Sequence, residues 1–429
     1  MRSDHVEYTL WSSDFHISGP ADVKDVSRLL PPTYGLKVID ESLSGACHLT
    51  HSCATDLKIL SRANGIDLTA CPNHLKRQFW LHYRSDADFD RIDAFIFTYA
   101  VGLSELFMAF SRPLIIIAPT RYEVGRTTAY AWQNLNENLH AIAKNPRNTV
   151  VANNLYDAEY IKHFTGLKDV KVLPNLCGYT NSKYMPSRHH VLIGPGRLSP
   201  GGEAIQNELL RFVADSATSD IELIHIRKLY TKFEYADLAA HPAIVLIPYQ
   251  VSIMSIMEYY RMGIPLFAPS LKLLVRWQLD HLVMNELSWN CVHKKCEQPS
   301  AISPHRQSPH GNTDPNRILN ETDLEHWLLF ADFYQWPAIT YFDDWSDLLN
   351  KLRHTDYGAI HREMMLFNEQ QTNQIVNMWQ EIIFRAFSGF PPRKVKAQTA
   401  ANLNSRISWE QAILSAYPGI SASTVHKEC

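Results

Sequence analysis

The sequence predicts an α/β protein with two domains, each built on a mostly parallel sheet that helices cover on both faces. The chain has 429 residues, which is long enough for two full hydrophobic cores. Short apolar runs alternate with amphipathic stretches along it, and this alternation is typical of a parallel sheet. A polar segment with proline, CGYTNSKYMPSRHH at residues 177–190, interrupts the pattern, which then restarts.

The first domain is predicted to span residues 1–178. Its strands are expected to be brief apolar runs that end at polar residues or proline: LKVIDES, DAFIFTYA, RPLIIIAPT, NTVVANN and VKVLPN, after a first strand near the N-terminus. The helical patterns between them are CATDLKILSRANG, CPNHLKRQFWLHYR, SELFMAF and AYAWQNLNENLHAIAKN. Strands and helices thus alternate throughout this half.

The second domain is predicted to span residues 179–387. Its strands are expected in HHVLIGPG, IELIHIRK, AIVLIPY and IPLFAP, and a long helix is expected at about 357–387. The proline- and histidine-rich segment 291–320 predicts a long surface loop. Residues 388–429 are predicted to form a flexible tail with one short helix in SWEQAILSAY.

Composition excludes some classes of function. A formal net charge of -3 lacks the basic excess of a nucleic-acid binder or a polybasic membrane binder. No apolar run reaches the roughly 18 residues of a membrane span. Seven scattered cysteines favour reduced thiols in a cytoplasmic protein. One sequon, Asn320 to Thr322, also suits a secretory lumen if an N-terminal anchor precedes this sequence.

Three motifs in order carry a resemblance to a known family. An apolar-Pro-Asn turn, Leu173–Asn175, ends the first half, and a Gly-Arg turn, Gly196 and Arg197, opens the second. Glu258 then follows the strand VLIPY and precedes Gly263. Over residues 90–270 this order resembles the GT-B glycosyltransferases with a family 4-like C-terminal domain. The resemblance implies two Rossmann-like parallel-sheet domains facing a cleft, with a nucleotide-diphosphate sugar as co-substrate and no other cofactor.

The resemblance places the donor site around the helix that carries Glu258. A helix that begins at the carboxyl end of a parallel strand directs its free N–H groups at the cleft, which suits a diphosphate. Glu258 is implied to bind the ribose, and the alternative is a solvated residue or a partner of Arg261. The expected donor-binding residues are Arg197, Arg227, Lys228, Tyr249, Gln250, Ser252, Ser255 and Glu258.

Two departures from the family pattern concern charge. Gln250 stands where many of these enzymes carry a second glutamate, so it can bind hydroxyls but carries no charge. The basic residue expected shortly after the Gly-Arg turn is absent, since LSPGGE follows Arg197. Neutralisation of the diphosphate then depends on Arg197, with Arg227 or Lys228 as substitutes.

Polar loops after the first domain's strands are the expected acceptor side. WSSDFHISGP contains Asp14 and His16, and PTRYEVGR contains Arg121 and Glu123. His16 is a candidate base with Asp14 as its partner or as the base itself, or it only shapes the loop. The full expected set is His16, Asp14 and Glu123 for catalysis and Ser44, His48 and Arg121 for the acceptor.

The sequence predicts no metal in the reaction. CHLTHSC at 47–53 and CVHKKC at 291–296 hold cysteines and histidines within single short loops, from which tetrahedral zinc coordination is awkward. Zinc, a disulfide between Cys47 and Cys53, and ordinary loop residues stay open. No DxD-type pair appears where a metal-dependent transferase would need it, so we expect the helix terminus and Arg197 to stabilise the leaving group.

The expected function is transfer of a sugar from a nucleotide-diphosphate sugar to an acceptor hydroxyl on a glycan, lipid or small molecule. The alternatives are a catalytically silent GT-B-like protein that binds sugars or nucleotides, and a sugar-nucleotide epimerase. No nucleic-acid partner and no integral membrane segment are expected. Retention of the anomeric configuration is mildly favoured by the resemblance around Glu258.

Overall fold

A computed structural model provides the structure of the chain. It describes residues 8–14, 18–30, 36–42, 72–98, 101–216, 220–388, 408–418 and 420. Within these ranges, no helix combines the length and the apolar character that crossing a membrane requires.

The first sheet has five parallel strands in the order β2-β1-β3-β4-β5. The strands are β1 (Tyr8–Asp14), β2 (Leu36–Ser42), β3 (Ala94–Phe97), β4 (Leu114–Ala118) and β5 (Thr149–Ala152). Every residue of β3, β4 and β5 is buried, which explains why these strands are continuous apolar runs.

Two details of this sheet differ from the sequence prediction. The predicted loop WSSDFHISGP begins inside β1, which continues to Asp14 in register with Ser42. The predicted strand VKVLPN makes only one isolated bridge, between Val172 and Ala152. Pro174 has no N–H to donate, so a ladder cannot extend past this point.

Helices cover both faces of the first sheet. They are α1 (Ser18–Leu29), α2 (Pro72–Tyr83), α3 (Ala87–Asp90), α4 (Ala129–Lys144) and α5 (Leu155–Thr165). The predicted helix SELFMAF lies in a buried 3-10 helix, Val101–Phe110. Asn154 caps the start of α5, and Gly166 ends it with a φ of 74°, a left-handed conformation that glycine adopts without steric cost.

The second sheet also has five parallel strands, in the order β10-β9-β8-β6-β7. The strands are β6 (Val191–Gly194), β7 (Leu223–His225), β8 (Ile244–Leu246), β9 (Leu266–Pro269) and β10 (Thr340–Phe342). Strand β10 was not predicted, because Thr340–Phe342 lies between two helical patterns and belongs to no continuous apolar run. The prediction of two Rossmann-like, parallel-sheet domains is confirmed by these two sheets.

Nine described helices accompany this sheet before the long C-terminal helix. They are α6 (Pro200–Asp215), α7 (Ile226–Leu229), α8 (Tyr235–Ala239), α9 (Met254–Arg261), α10 (Leu271–His281), α11 (Trp289–Val292), α12 (Glu321–Leu328), α13 (Asp332–Gln335) and α14 (Trp345–His354). A short 3-10 helix, Gly178–Thr180, lies in the connection between the domains.

The segment 291–320 is only partly the surface loop that its composition predicts. Ile302 and Ile318 are buried, and the backbone N–H of His305 donates to the carbonyl of His163 on α5. A disulfide joins Cys291 to Cys296. The segment therefore packs against the first domain, and the expectation of reduced thiols is wrong for this cysteine pair.

The last two helices return to the first domain. Helix α15 spans Tyr357–Phe387, as predicted. Its N-terminal part contacts α9 through Asn368, and its C-terminal part packs Trp379 and Ile383 into the core beneath α1. Helix α16 (Trp409–Ala416) packs on α2 and on the 3-10 helix Val101–Phe110. The short helix predicted in SWEQAILSAY is thus confirmed, and its apolar face buries Trp409 and Ile413.

Candidate functional site

A cavity of about 520 Å³ lies between the two domains. Residues that directly follow strands β3, β4 and β5 line it from one side, and residues that follow β6 and β8 line it from the other. These residues are Thr98, Thr120 and Asn153, facing Arg197, Tyr249 and Gln250. The cavity therefore occupies the crevice at the carboxyl ends of both parallel sheets, where open α/β sheets bind ligands.

Asp22 is the carboxylate that the first domain contributes to this cleft. It lies in the second turn of α1 and is 6% exposed. Its Oδ1 accepts a hydrogen bond from the backbone N–H of Cys177 at 2.8 Å. Burial raises the pKa of Asp22 to about 7, against the opposing effect of the Cys177 N–H and of Arg261. A carboxyl group of this kind can exchange protons near neutral pH.

The junction between the domains forms the floor of the cleft. Leu173, Pro174 and Asn175, the predicted apolar-Pro-Asn turn, line it. Asn153 reaches toward this turn, with its Nδ2 at 3.4 Å from Asn175 Oδ1. The hydroxyl of Thr120 is buried without a hydrogen-bond partner among the described residues. Uncharged donors and acceptors of this type suit the hydroxyl groups of a sugar.

Arg197 lines the second-domain side, as predicted, but it already has an anionic partner. Its Nη2 lies 2.6 Å from Glu286 Oε1, and its guanidinium lies over the ring of Tyr249 at 5.4 Å. The Arg197 side chain is 67% exposed, so this ion pair is open to solvent and weak. An incoming diphosphate can compete with Glu286 for the guanidinium.

The N-terminus of α9 opens toward the cleft, since Ser252 and Met254 line the cavity. Its N-cap residue is Ile253, whose side chain offers no capping oxygen. Ser252 is one of the predicted donor-binding residues. Its hydroxyl instead donates a hydrogen bond to Asp332 Oδ2 at 2.6 Å. The backbone N–H groups of this turn are therefore better placed than the serine hydroxyl to meet an anion.

Arg121 lies behind the cleft wall and does not line the cavity. The residue is 1% exposed, and its Nη2 donates to Gln250 Oε1 at 3.1 Å and to the Glu286 carbonyl at 2.7 Å. The indole N–H of Trp289 donates in turn to the carbonyl of Arg121 at 3.0 Å. The predicted acceptor contact is corrected here, because the guanidinium joins the two domains.

Glu123 is also buried away from the cleft, beside a separate cavity of about 30 Å³. Its Oε1 accepts the hydroxyl proton of Tyr160 at 2.8 Å. Burial raises the pKa of Glu123 to about 7. In this conformation it cannot reach a substrate in the main cleft, so the structure does not bring this predicted catalytic residue to the site.

Glu258 does not line the cleft either. Its Oε1 accepts hydrogen bonds from the hydroxyl of Tyr179, in the domain connection, at 2.8 Å and from that of Tyr235, in α8, at 2.9 Å. Burial raises the pKa of Glu258 to about 7, and the two phenols act in the opposite direction. Ser255, one turn earlier on α9, hydrogen-bonds with Tyr259. The predicted ribose contact of Glu258 stays a prediction that requires a phenol to be displaced.

Arg227 and Lys228 lie in α7, directly after β7, and neither lines the cleft. Arg227 donates to the carbonyl of Thr231 at 3.3 Å, and its guanidinium lies 4.8 Å from the ring of Phe233. Arg197 is thus the predicted donor-site cation that the structure places in the cavity.

Several predicted residues cannot be located. His16, Ser44 and His48 lie outside the described residues, as does the CHLTHSC cluster at 47–53. Asp14 is described as the last residue of β1, at the carboxyl edge of the first sheet. In the second cysteine cluster, Cys291 and Cys296 are joined as a disulfide, so this pair offers no thiolate to a metal.

Asp22 and Glu286 are not among the residues predicted from the sequence. Asp22 had a recognisable signal, since it lies beside the buried residues Val23 and Val26 of α1, where a carboxylate needs a reason to be buried. Glu286 gave no local signal. It follows α10 in an irregular stretch, and its position at Arg197 depends on the backbone bond from its N–H to the carbonyl of Tyr249.

Comparison with solved structures finds alignments over most of the chain at low sequence identity. No family model matches the chain. No curated protein matches it either. A glycosyltransferase from Rickettsia africae ESF-5 aligns at 9% identity with a TM-score of 0.49, over 89% of this chain and 99% of that chain. The glycosyltransferase SnogD from Streptomyces nogalater aligns at 12% identity and 0.42, over 89% and 100%.

A third solved structure is an epimerase. The UDP-GlcNAc 2-epimerase from Neisseria meningitidis, bound to UDP-GlcNAc, aligns at 10% identity with a TM-score of 0.40, over 87% of this chain and 100% of that chain. Likenesses of this order carry no conclusion about the activity or the substrate of this chain.

Proposed function

We propose that the chain is a glycosyltransferase that takes a sugar from a nucleotide-diphosphate sugar and transfers it to an acceptor hydroxyl without a metal ion. The supporting observation is the composition of the cleft. One wall presents Arg197 and the uncapped N-terminus of α9, and the opposite wall presents Asp22. A cation and backbone N–H groups suit a diphosphate, while a carboxylate suits the activation of a hydroxyl.

The proposed donor site uses the second domain. The diphosphate displaces Glu286 from Arg197 and accepts hydrogen bonds from the backbone N–H groups at the start of α9. Tyr249 and Gln250, which line the same wall, contact the sugar or the base. These groups stabilise the negative charge that develops on the leaving diphosphate, which is the role a metal plays in other transferases.

The proposed acceptor site uses the first domain. The Asp22 carboxylate takes the proton of the acceptor hydroxyl as its oxygen bonds to the anomeric carbon. The bond from that carbon to the diphosphate oxygen breaks, and the electron pair leaves with the nucleoside diphosphate. This direct displacement inverts the anomeric carbon, in contrast to the retention that the sequence resemblance mildly favours. His16 stays a candidate for the same step.

One observation favours a second function, a binding protein without turnover. Arg197 is paired with Glu286, and Gln250 is occupied by Arg121, so two predicted donor contacts are already satisfied within the protein. In this case the cleft binds a sugar or a nucleotide but does not activate it.

Mass spectrometry after incubation with UDP-, GDP- and CDP-sugars and a set of acceptor sugars distinguishes the functions. Transfer to an acceptor, or to water, supports the transferase, and Asp22→Asn should remove that product. A changed sugar still attached to its nucleotide identifies an epimerase. A nucleotide that binds but is recovered unchanged supports the binding protein and contradicts the proposal.

A further inference from the structure

Two adjacent histidines and a glutamate meet at the edge of the second domain, away from the cleft. His189 and His190 immediately precede β6, and Glu222 immediately precedes β7. Strands β6 and β7 are parallel neighbours, with Val191 in register with Leu223. The three side chains therefore lie at the amino-terminal edge of the sheet, at the opposite end from the carboxyl edge that forms the cleft.

The ligating atoms converge on one point. His189 Nε2 lies 2.9 Å from Glu222 Oε2, and His190 Nε2 lies 3.1 Å from the same oxygen. The two imidazole rings are 4.1 Å apart between centroids. Two ligand atoms at about 2.0–2.2 Å from one ion lie roughly 2.8–3.6 Å apart at tetrahedral or octahedral angles. Both nitrogen–oxygen separations lie in that range, and all three ligand atoms lie within 4.8 Å of one another.

The backbone that carries His190 is fixed by a second pair of side chains. The carbonyl of His190 accepts a hydrogen bond from His241 Nδ1 at 2.8 Å, and the Nε2 of that ring lies 2.8 Å from the hydroxyl of Tyr230. A ring that donates from Nδ1 accepts the Tyr230 proton at Nε2 when it is neutral. Support of this kind reduces the conformational entropy that the His190 backbone would otherwise lose when the site binds a metal ion.

We infer that His189, His190 and Glu222 form a binding site for a late first-row divalent ion of the Zn²⁺ type. Two imidazole nitrogens and one carboxylate oxygen are a ligand set that zinc prefers, whereas Ca²⁺ and Mg²⁺ prefer oxygen ligands. His189 and Glu222 are exposed and His190 is partly buried, so water completes the coordination. The site is distant from the cleft and takes no part in the proposed reaction.

Calorimetric titration of ZnCl₂ into the full-length protein, carrying no histidine tag, tests this inference. His190→Ala and Glu222→Gln should each weaken the zinc site at least tenfold or remove one equivalent of bound zinc. His354→Ala, at an exposed histidine at the end of α14, should leave binding unchanged. Because the readout is the difference from the parent, zinc bound elsewhere on the chain cancels.

Two further measurements keep the test decisive. Thermal unfolding in a chelator should be the same for the parent and the variants, which confirms that each variant folds. Added Zn²⁺ should raise the melting temperature of the parent more than that of His190→Ala, while Mg²⁺ should raise neither. A parent that binds no zinc, or variants that match its zinc affinity and stoichiometry, would overturn the inference.

Discussion

Arg121 of the first domain donates a hydrogen bond from Nη2 to the side-chain oxygen of Gln250 of the second domain, at 3.1 Å. The same nitrogen also donates to the Glu286 carbonyl, and neither Nε nor Nη1 has a partner among the described residues. A buried cation with three unsatisfied N–H groups, one on Nε and two on Nη1, costs stability by itself. What the Arg121 side chain provides is a hydrogen-bonded link from the first domain to Gln250 and Glu286 of the second domain.

Arg121→Met should destabilise the contact between the domains. The substitution removes two hydrogen bonds from a charged donor and leaves Gln250 without its partner, at a cost of about 2–3 kcal/mol. Urea unfolding measures the change. Arg211→Met, at an exposed site on α6, is the matched control and should stay within about 0.5 kcal/mol of the parent. Equal unfolding of both variants would show that Arg121 makes no net contribution to stability.

Glu258 has two testable roles, and they predict different results. If Glu258 holds Tyr179 and Tyr235 against α9 by hydrogen bonds, Tyr179→Phe should lower the free energy of unfolding by about 1 kcal/mol and leave nucleotide affinity unchanged. If it binds a ribose, Glu258→Ala should weaken nucleotide binding by about 1.5–3 kcal/mol. Calorimetry and urea unfolding on the same variants separate the two roles.

The pH dependence of stability gives an independent test of Glu258. Folding raises its pKa from 4.5 to about 7. Its contribution to stability is therefore fully present below about 4.5 and is lost as the pH rises through about 7. Relative to Glu258→Gln, which does not titrate, the parent should lose stability across this window. A difference between the two that is constant with pH would contradict the raised pKa of this carboxyl group.

His163 should make the protein sensitive to acid. It is fully buried on α5, and its Nδ1 lies 2.6 Å from Ser308 Oγ. Burial lowers its pKa from 6.5 to about 4, with His310 and His326 acting in the same direction and Asp314 opposing them. The unfolded chain thus takes up a proton that the folded chain does not, so this contribution to stability is lost as the pH falls from about 6.5 toward about 4.

His163→Gln provides the comparison. The variant should be less stable than the parent at neutral pH but should lose less stability between about pH 7 and about pH 5. Melting temperatures at both pH values measure this. Parallel losses in the two proteins would assign the acid sensitivity to other groups.

Asp22 should set the pH profile of turnover. As a base it must be deprotonated, and burial raises its pKa to about 7. The value of kcat/KM should therefore rise as the pH increases through about 7, and Asp22→Asn should lower it by about 10² to 10⁴. The variant keeps an oxygen for the Cys177 N–H, so nucleotide affinity should persist. Unchanged turnover in Asp22→Asn would leave His16 as the next residue to test.

The sequence predicted the sheets well and the packing between domains poorly. Strands β3, β4 and β5 are buried on both faces, so their apolar runs show in the sequence. Residues that follow a strand end, such as Tyr249 and Gln250, line the cleft because the strands that the structure describes are parallel within each sheet. Arg121 and Glu123 also follow a strand, yet their loop folds under the second domain and the segment 291–320, a long-range contact without any local signal.

Calorimetric titration of UDP, GDP and CDP into the parent, Arg197→Ala and Glu286→Gln tests the proposed diphosphate site. We predict that at least one of these diphosphates binds the parent, that Arg197→Ala binds it at least tenfold more weakly, and that Glu286→Gln binds it more tightly because Arg197 is released. Arg227→Ala, outside the cleft, should match the parent. Absence of binding to the parent, or equal affinity in Arg197→Ala, would contradict a diphosphate site in this cleft.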